Sequence, residues 1–147
     1  MTRIRSWMND AVITVRPRDS VLHARELLER HRINQLPVTV DGTLVGIVTD
    51  RDLRDAFPSV FLSMEPRRRW RRTAGTDPVA IPVQDVMTTE LLTLNSASPV
   101  AEAARLMRLE RIGAVPIVDG GHLVGILTRS DVLDAYVEMS RTVRLLG

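Results

Sequence analysis

An α/β fold (mixed α+β) built from two copies of one unit is predicted by three observations on this sequence of 147 residues. Val45–Leu53 and Val124–Val132 share the pattern Val-Gly-Ile-x-Thr-x-x-Asp at an offset of 79 positions. The same offset aligns residues 7–53 with the second copy without a gap. Short β-rich runs alternate with helical periodicity in both copies. Each copy is therefore predicted as β-α-β-β-α, and the two are expected to pack sheet against sheet about a pseudo-twofold axis.

The elements of the first copy follow from local signals. Ser20 is in position to cap a helix, because apolar residues recur after it at three- and four-residue spacing. Asp41-Gly42 is a typical two-residue hairpin turn between two β-rich runs. The predicted order is strand Ala11–Val15, a helix from Ser20 to about Arg32, strands Leu36–Val40 and Leu44–Val48, and helix Thr49–Ala56.

The second copy repeats this order. Pro99 is placed in the first turn of its first helix, where a missing N–H has no effect on helical hydrogen bonds. Gly120-Gly121 takes the place of the first hairpin turn. The predicted elements are strand Leu91–Leu94, helix Pro99–Arg111, strands Val115–Val118 and Leu123–Leu127, and helix Arg129–Met139. Val143, Leu145 and Leu146 would allow this last helix to continue onto a partner.

The repeat divides the chain into four segments: a first motif (1–57), a connector (58–82), a second motif (83–139) and a C-terminal tail (140–147). All 20 basic side chains are arginine, and the net charge is only +2. Five arginines lie within Arg67–Arg72 of the connector, so the remainder of the chain is mildly acidic. A connector of this length is typical of a functional or disordered segment.

Composition excludes several classes of protein. The chain has no cysteine, which rules out disulfides and thiol catalysis. No apolar run approaches the roughly 18 residues of a membrane span, and no apolar leader precedes the first copy, so we expect a cytoplasmic protein without membrane contact. His23, His31 and His122 lack metal-ligand spacing, and no nucleophile motif is present. We therefore expect neither a metal site nor an enzyme.

The Thr-x-x-Asp turns carry the most specific chemistry. One interpretation is a capping box, in which the Thr hydroxyl and the Asp carboxylate satisfy the first N–H groups of the helix. The other is an anion site, because Arg51 and Arg129 stand in first turns where helix dipoles favour acids. The two copies are not equal, since strict alignment places Arg129 opposite Asp50, a charge that would oppose a phosphate. Sequence alone leaves both interpretations open.

Two long segments resemble CBS motifs (named after cystathionine-β-synthase), here as a tandem pair or Bateman module. They are Ile33–Leu53 and Ile112–Val132, with Trp7-Met8 and Val86-Met87-Thr88 matching the motif starts. The first copy is similar to stand-alone bacterial CBS-pair proteins of the acetoin-utilisation type. The resemblance implies a regulatory module that binds AMP, ADP, ATP or S-adenosylmethionine in two clefts between motifs. It also implies a homodimer that passes the bound state to a regulated partner, which the sequence does not identify.

The resemblance also implies roles for individual residues. Asp52 and Asp131 would accept hydrogen bonds from ribose hydroxyls, Thr49 and Thr128 would bind ribose or phosphate, and Arg51 and Arg129 would meet phosphate. The adenine would lie near Ile33, Leu36 and Pro37, or near Ile112, Val115 and Pro116. Backbone groups near Val12 and Leu91 would read its edge, and Thr88 belongs to the second motif start. We expect no catalytic cofactor.

Two rival functions remain at this point. A nucleic-acid-binding protein could place Arg67–Arg72 on phosphates and stack Trp70 on a base, although one short basic patch on a chain of net charge +2 is weak support. A purely structural dimer would leave its clefts empty. The first rival loses binding when the arginines are neutralised, and the second shows no thermal shift with any adenosine ligand.

Overall fold

The computed structural model of the chain describes residues 2–56 and 81–146, without the side chains of residues 145 and 146. Most of the predicted connector, including Arg67–Arg72, lies outside the described residues. The described part contains four α-helices, two β-hairpins and two short 3-10 turns. The predicted mixed α/β class is confirmed.

The first half of the chain follows the predicted order. Helix α1 begins after Ser20, whose hydroxyl accepts the His23 N–H at 3.0 Å, as the capping signal predicts. It ends at His31, and the next residue, Arg32, takes a left-handed conformation with φ of 52°. Asp41 and Gly42 also have positive φ, which a tight hairpin turn requires. The elements are a 3-10 turn at Ile4–Ser6, α1 (Val21–His31), β1 (Gln35–Val40), β2 (Thr43–Thr49) and α2 (Asp50–Ala56).

The second half repeats these elements with one difference from the sequence prediction. Pro99 precedes the first helical residue, instead of lying inside the first turn. The last helix continues beyond Met139 to Leu146, as the apolar residues of the C-terminal tail allowed. The elements are a 3-10 turn at Val83–Asp85, α3 (Val100–Glu110), β3 (Ala114–Asp119), β4 (His122–Thr128) and α4 (Arg129–Leu146).

In each copy one strand was predicted before the first helix, and both predictions are wrong. Within residues 2–56 and 81–146, Ala11–Val15 forms only one parallel bridge, from Val15 to Val38, and Leu91–Leu94 forms only one, from Leu94 to Ile117. The Val15 N–H donates to the Pro37 carbonyl, and the Val15 carbonyl accepts the Thr39 N–H. The second run behaves alike although Ser96 stands where the first copy has Pro17, so the proline is not the reason. A β-rich sequence does not by itself supply a partner strand along its length.

The described residues form two compact units that do not coincide with the two sequence copies. The first unit is Ile13–Leu91, and the second combines Met1–Val12 with Leu92–Gly147. Each has its own apolar core, centred on fully buried Leu36, Val48 and Leu53 in the first and on Ile4 and Leu127 in the second. Sequence similarity and compactness are different criteria, so the motif boundaries given above remain a prediction.

Each unit takes its short N-terminal segment from the other copy. In the second unit, Ile4 is fully buried and Asn9 exchanges two backbone hydrogen bonds of 2.9 Å with Ile126 of β4. In the first unit, Val83 is fully buried and Thr88 exchanges bonds of 2.8 and 3.0 Å with Ile47 of β2. The segment that starts each motif therefore completes the unit that holds the other copy's hairpin.

This exchange explains a proline inside each hairpin. Pro37 lies opposite Ile47 in the β1–β2 pair, yet the N–H and C=O of Ile47 bond to Thr88 on the other side. The position opposite Ile47 is therefore a non-hydrogen-bonded one, where the N–H that proline lacks is not needed for that pair. Pro116 occupies the same position opposite Ile126 in the β3–β4 pair.

The exchange also explains the glycine in each repeated strand. A Cβ on Gly46 would overlap the Met87 sulfur and lie 3.2 Å from the Thr88 carbonyl oxygen. A Cβ on Gly125 would lie 2.6 Å from the Met8 sulfur. Both glycines are thus required by a methionine that packs on the strand, rather than by the turn that follows.

Candidate functional site

The first Thr-x-x-Asp turn links the end of β2 to the start of α2. The Thr49 N–H donates to Asp52 Oδ2 at 3.0 Å, and the Asp52 N–H donates to Thr49 Oγ1 at 3.0 Å. Both side chains are half-buried. This reciprocal pair is the capping box that the sequence offered as one interpretation.

The second turn has the same geometry between β4 and α4. The Thr128 N–H donates to Asp131 Oδ2 at 2.8 Å, and the Asp131 N–H donates to Thr128 Oγ1 at 3.3 Å. The Thr128 hydroxyl also lies 3.0 Å from Asp131 Oδ2, to which it can donate. Two equivalent turns therefore hold an aspartate in a fixed orientation, one in each unit.

The capping box uses only one oxygen of each aspartate. In the part of the chain that the structure describes, Asp52 Oδ1 and Asp131 Oδ1 accept no hydrogen bond. A carboxylate oxygen has two lone pairs and accepts strongly from hydroxyl groups. The two interpretations of the motif are thus compatible, because capping leaves an oriented acceptor for a second partner.

The loop before each hairpin is tied to the same turn. The Asp50 N–H donates to the Asn34 carbonyl at 2.8 Å, and the Arg129 N–H donates to the Gly113 carbonyl at 3.1 Å. Two of the first three N–H groups of each helix therefore have protein acceptors. An anion site was predicted from free N–H groups at these helix starts. Among the first three residues of α2 and of α4, only the N–H groups of Arg51 and Ser130 have no acceptor within residues 2–56 and 81–146.

The charges around the two turns differ. Asp50 forms an ion pair of 2.9 Å with Arg54, one turn along α2. Its counterpart Arg129 is exposed, and a Cβ placed on Gly113 would lie 3.9 Å from its Nε and Cζ atoms. Arg51 is also exposed. The second unit thus has a cation beside its turn where the first unit has an acid that is already paired.

The residues predicted to contact adenine divide by exposure. Leu36 and Pro37, like Val115 and Pro116, are fully buried with the cores. Half-buried positions are Ile33, Ile112, Val12 and Leu91, and Thr88 is exposed. The pairing of Gln35 with Thr49 brings residues 33–34 to the turn of the first unit. The pairing of Ala114 with Thr128 brings residues 112–113 to the turn of the second unit. The bridge to Ile47 places Thr88 in the first unit, whereas Val12 belongs to the second.

Sequence reasoning missed one polar link, in the second unit. Asp119, the last residue of β3, accepts the Ser96 N–H at 2.9 Å and the Ser96 hydroxyl. These bonds, with a smaller contribution from Arg5, hold the pKa of Asp119 below its usual value. The aligned residues of the first copy are Val40 and Pro17, so the repeat gave no signal for this pair.

Residues 2–56 and 81–146 contain no cluster of His, Asp or Glu that could hold a metal ion. The same residues contain no helix with the length and apolarity that crossing a membrane requires.

Comparison with known proteins gives one consistent result. A family model described as CBS domain matches residues 4–59 and 83–138. A CBS domain-containing protein of Dictyostelium discoideum is 34% identical over 142 residues, which cover 95% of this chain and 94% of that protein.

Three solved structures are similar over nearly the whole chain. A Vibrio cholerae protein described as acetoin utilization protein AcuB has a TM-score of 0.77 and 25% identity, covering 98% of this chain and 96% of that one. CBSX2 in complex with AMP has a TM-score of 0.76 and 31% identity, covering 95% and 99%. The CBS domain pair of protein MJ0100, in complex with 5′-methylthioadenosine and S-adenosyl-L-methionine, has a TM-score of 0.74 and 26% identity, covering 95% and 98%.

Proposed function

The chain belongs to the CBS domain family, and from that premise we propose that it is a regulatory module that senses an adenosine-containing ligand. The candidate ligands are AMP, ADP, ATP and S-adenosylmethionine. The observation that carries the proposal is the oriented aspartate in each turn, whose Oδ1 accepts no hydrogen bond in the described structure. Relatives similar over more than 90% of this chain are bound to AMP in one case and to S-adenosylmethionine in another.

Each turn supplies a ribose acceptor in this proposal. Asp52 and Asp131 accept the ribose hydroxyls through the oxygen that the capping box leaves free. Thr49 and Thr128 lie beside them, and the backbone N–H of each threonine donates to the carboxylate and holds it in place. Half-buried Ile33 and Ile112 offer apolar surface for the adenine, whereas Leu36, Pro37, Val115 and Pro116 are buried.

The two turns are proposed to differ in their preference for phosphate. Arg129 is exposed beside the second turn and attracts an anionic group. Asp50 stands at the aligned position of the first turn and repels one, although its ion pair with Arg54 reduces that repulsion. We expect a phosphorylated nucleotide to bind more tightly at the second turn than at the first.

The module acts by population shift and not by catalysis in this proposal. A ligand favours one conformation only as far as it binds that conformation better, and a regulated partner then recognises it. We propose a cytoplasmic homodimer that carries no catalytic site of its own. The nucleic-acid alternative rests on Arg67–Arg72, which lie outside the described residues, and no observation on the described part favours it.

The test is isothermal titration of AMP, ADP, ATP and S-adenosylmethionine into the wild type, Asp52→Asn and Asp131→Asn. Asparagine keeps an oxygen that can accept the Thr N–H, but its amide offers donors where the ribose needs an acceptor. Loss of such an acceptor typically costs about 1.5–3 kcal/mol, so the affinity of the altered turn should fall roughly 10- to 150-fold.

Asp55→Asn, on an exposed position of α2, serves as the matched control and should keep wild-type affinity. Thermal unfolding of each variant without ligand reports whether the capping boxes survive. Binding of a nucleotide by both Asn variants with unchanged affinity would contradict the site assignment. If the wild type binds none of the four compounds, the proposed function is wrong.

A further inference from the structure

Two arginines, Arg111 and Arg129, lie near the second Thr-x-x-Asp turn. Arg111 follows the last residue of α3 and precedes Gly113 by two residues, and the Gly113 carbonyl accepts the Arg129 N–H at 3.1 Å. The guanidinium of Arg129 approaches the same glycine, since a Cβ on Gly113 would lie 3.9 Å from its Nε and Cζ atoms. Within residues 2–56 and 81–146, these two exposed side chains form no hydrogen bond or ion pair.

Chain geometry keeps Arg111 close to this turn. Two peptide units join its Cα to that of Gly113, and they span at most about 7 Å. An arginine side chain carries its charge well beyond its own Cα, on an extended aliphatic stem. The guanidinium groups of Arg111 and Arg129 can therefore both reach a group that is bound beside the turn.

The backbone at Arg111 favours glycine over arginine. Its φ of 55° lies in the left-handed region, where a Cβ costs free energy and where many helices end with glycine. A cation at this end of a helix interacts favourably with the helix dipole, which is one reason for a basic residue. Arg32 occupies the aligned position after α1 with φ of 52°, so that reason applies equally to both copies.

The charges beside these two arginines differ between the copies. In the first unit, α2 begins with Asp50, which is paired with Arg54 at 2.9 Å. In the second unit, α4 begins with Arg129, so two positive charges lie near each other and repel. An anion that binds between them removes this repulsion. A phosphate monoester carries a charge of about −1.5 to −2 at pH 7, which matches two arginines.

We propose that Arg111 and Arg129 together bind the phosphate of an adenosine nucleotide whose ribose is held by Asp131, and that they exclude S-adenosylmethionine from this turn. S-adenosylmethionine carries a sulfonium and an ammonium group against one carboxylate, so the two arginines repel it. Arg111 is thereby a specificity-determining residue of the second site. This inference rests on the proposed function and narrows the ligand of that site to a phosphorylated nucleoside.

The test compares AMP with adenosine, which lacks the phosphate, by isothermal titration. An Asp52→Asn background restricts binding to the second turn. In that background Arg111→Gly should weaken AMP binding about fivefold and leave adenosine binding unchanged, because the arginine contacts only the phosphate. Arg111→Lys keeps the charge and should recover most of the AMP affinity.

Reversal of the charge tests the exclusion of S-adenosylmethionine. Arg111→Glu should weaken AMP binding by a further factor of about five relative to Arg111→Gly, and it should strengthen binding of S-adenosylmethionine. Binding of S-adenosylmethionine that does not respond to the sign of the charge at position 111 would contradict the exclusion.

Arg32→Gly in the same background is the matched control. It removes an exposed arginine with the same backbone conformation, from the same end of a helix, and it changes the net charge equally. The two glycine variants should therefore shift Tm alike, whereas Arg32→Gly should leave the AMP affinity of the second turn unchanged.

Three results would overturn the assignment of Arg111. They are equal losses of AMP affinity in the two glycine variants, a loss in Arg111→Gly that is the same for AMP and adenosine, and an Asp52→Asn protein that binds no AMP although the wild type does. A wild type that binds neither compound, nor ADP, ATP or S-adenosylmethionine, contradicts the proposed function itself and is thereby distinguished from these three results.

Discussion

At the scale of single residues, the repeated glycine and the repeated aspartate have different origins. Gly46 and Gly125 are required by Met87 and Met8, which pack directly on the strands. Asp52 and Asp131 each complete a capping box and still retain an oxygen without a hydrogen bond in the described structure. A pattern that reads as one motif therefore combines a packing requirement with a candidate binding group.

Gly46→Ala is expected to lower the free energy of unfolding by about 1–3 kcal/mol, because the new methyl group forces the Met87 side chain to move. Gly113→Ala is the control, since its Cβ would meet nothing closer than 3.9 Å. Urea denaturation measures both. The double variant Gly46→Ala/Met87→Ala should lose less than the sum of the single losses. Additive losses would show that the methionine contact is not the reason for the glycine.

At the scale of elements, the two hairpins are alike in register but differ in how their ends are held. Both have a two-residue turn with positive φ and a register shift one residue after the strand centre. Only the β3–β4 hairpin, in the described structure, has the end of its first strand tied by an aspartate to the loop before a helix. This link should make the stability of the second hairpin depend on pH.

The pKa of Asp119 is lowered in the folded state, chiefly by the Ser96 hydroxyl and then by the Ser96 N–H. Its contribution to stability is therefore fully present above the unfolded pKa of about 3.9 and is lost as pH falls through the folded value. Asp119→Asn should lower the free energy of unfolding at pH 7. The difference in this free energy between the variant and the wild type should become smaller below about pH 4.

Ser96→Ala is the matched variant for this pH dependence, because it removes the largest cause of the shift and leaves the carboxylate in place. Urea denaturation between pH 7 and pH 3 measures the three proteins. A difference between wild type and Asp119→Asn that is constant across this range would contradict a lowered pKa.

At the scale of the whole molecule, each compact unit needs a segment from the other sequence copy. Ile4 is fully buried in the second unit, although it lies more than 90 residues before α3 in the chain. The amide of Ile126 donates to the Asn9 carbonyl, and that of Ile47 donates to the Thr88 carbonyl. Folding of either unit therefore requires long-range closure of the chain, which is typically slow.

Ile4→Ala and Val83→Ala test this exchange as a pair. Truncation of buried Ile4 should cost about 2–5 kcal/mol and speed hydrogen exchange at the Ile126 amide more than at Ile47. Val83→Ala should have the reverse pattern, with Ile47 affected more. If instead Ile4→Ala mainly exposes Ile47, the N-terminal segment belongs to its own sequence copy.

The two Thr-x-x-Asp turns and most element boundaries could be predicted because their signals are local. Ser20 caps the helix that follows it, and Asp41-Gly42 turns between strands a few residues away. The Ser96 link to Asp119 could not be predicted, because its partners lie 23 residues apart and have no counterpart in the other copy. The strand at Ala11–Val15 failed because β propensity does not supply a partner strand.

The sequence by itself determined the repeat and the fold class, and it offered the capping box as one of two interpretations of each turn, because these features depend on neighbours along the chain. Only the tertiary structure decided which hairpin each N-terminal segment joins. The two copies offer nearly equivalent strands, so Met8 could pack by pattern on Gly46 or on Gly125, and local sequence cannot distinguish them. The choice depends on long-range packing around Ile4 and Val83, which bury their side chains completely in the arrangement observed.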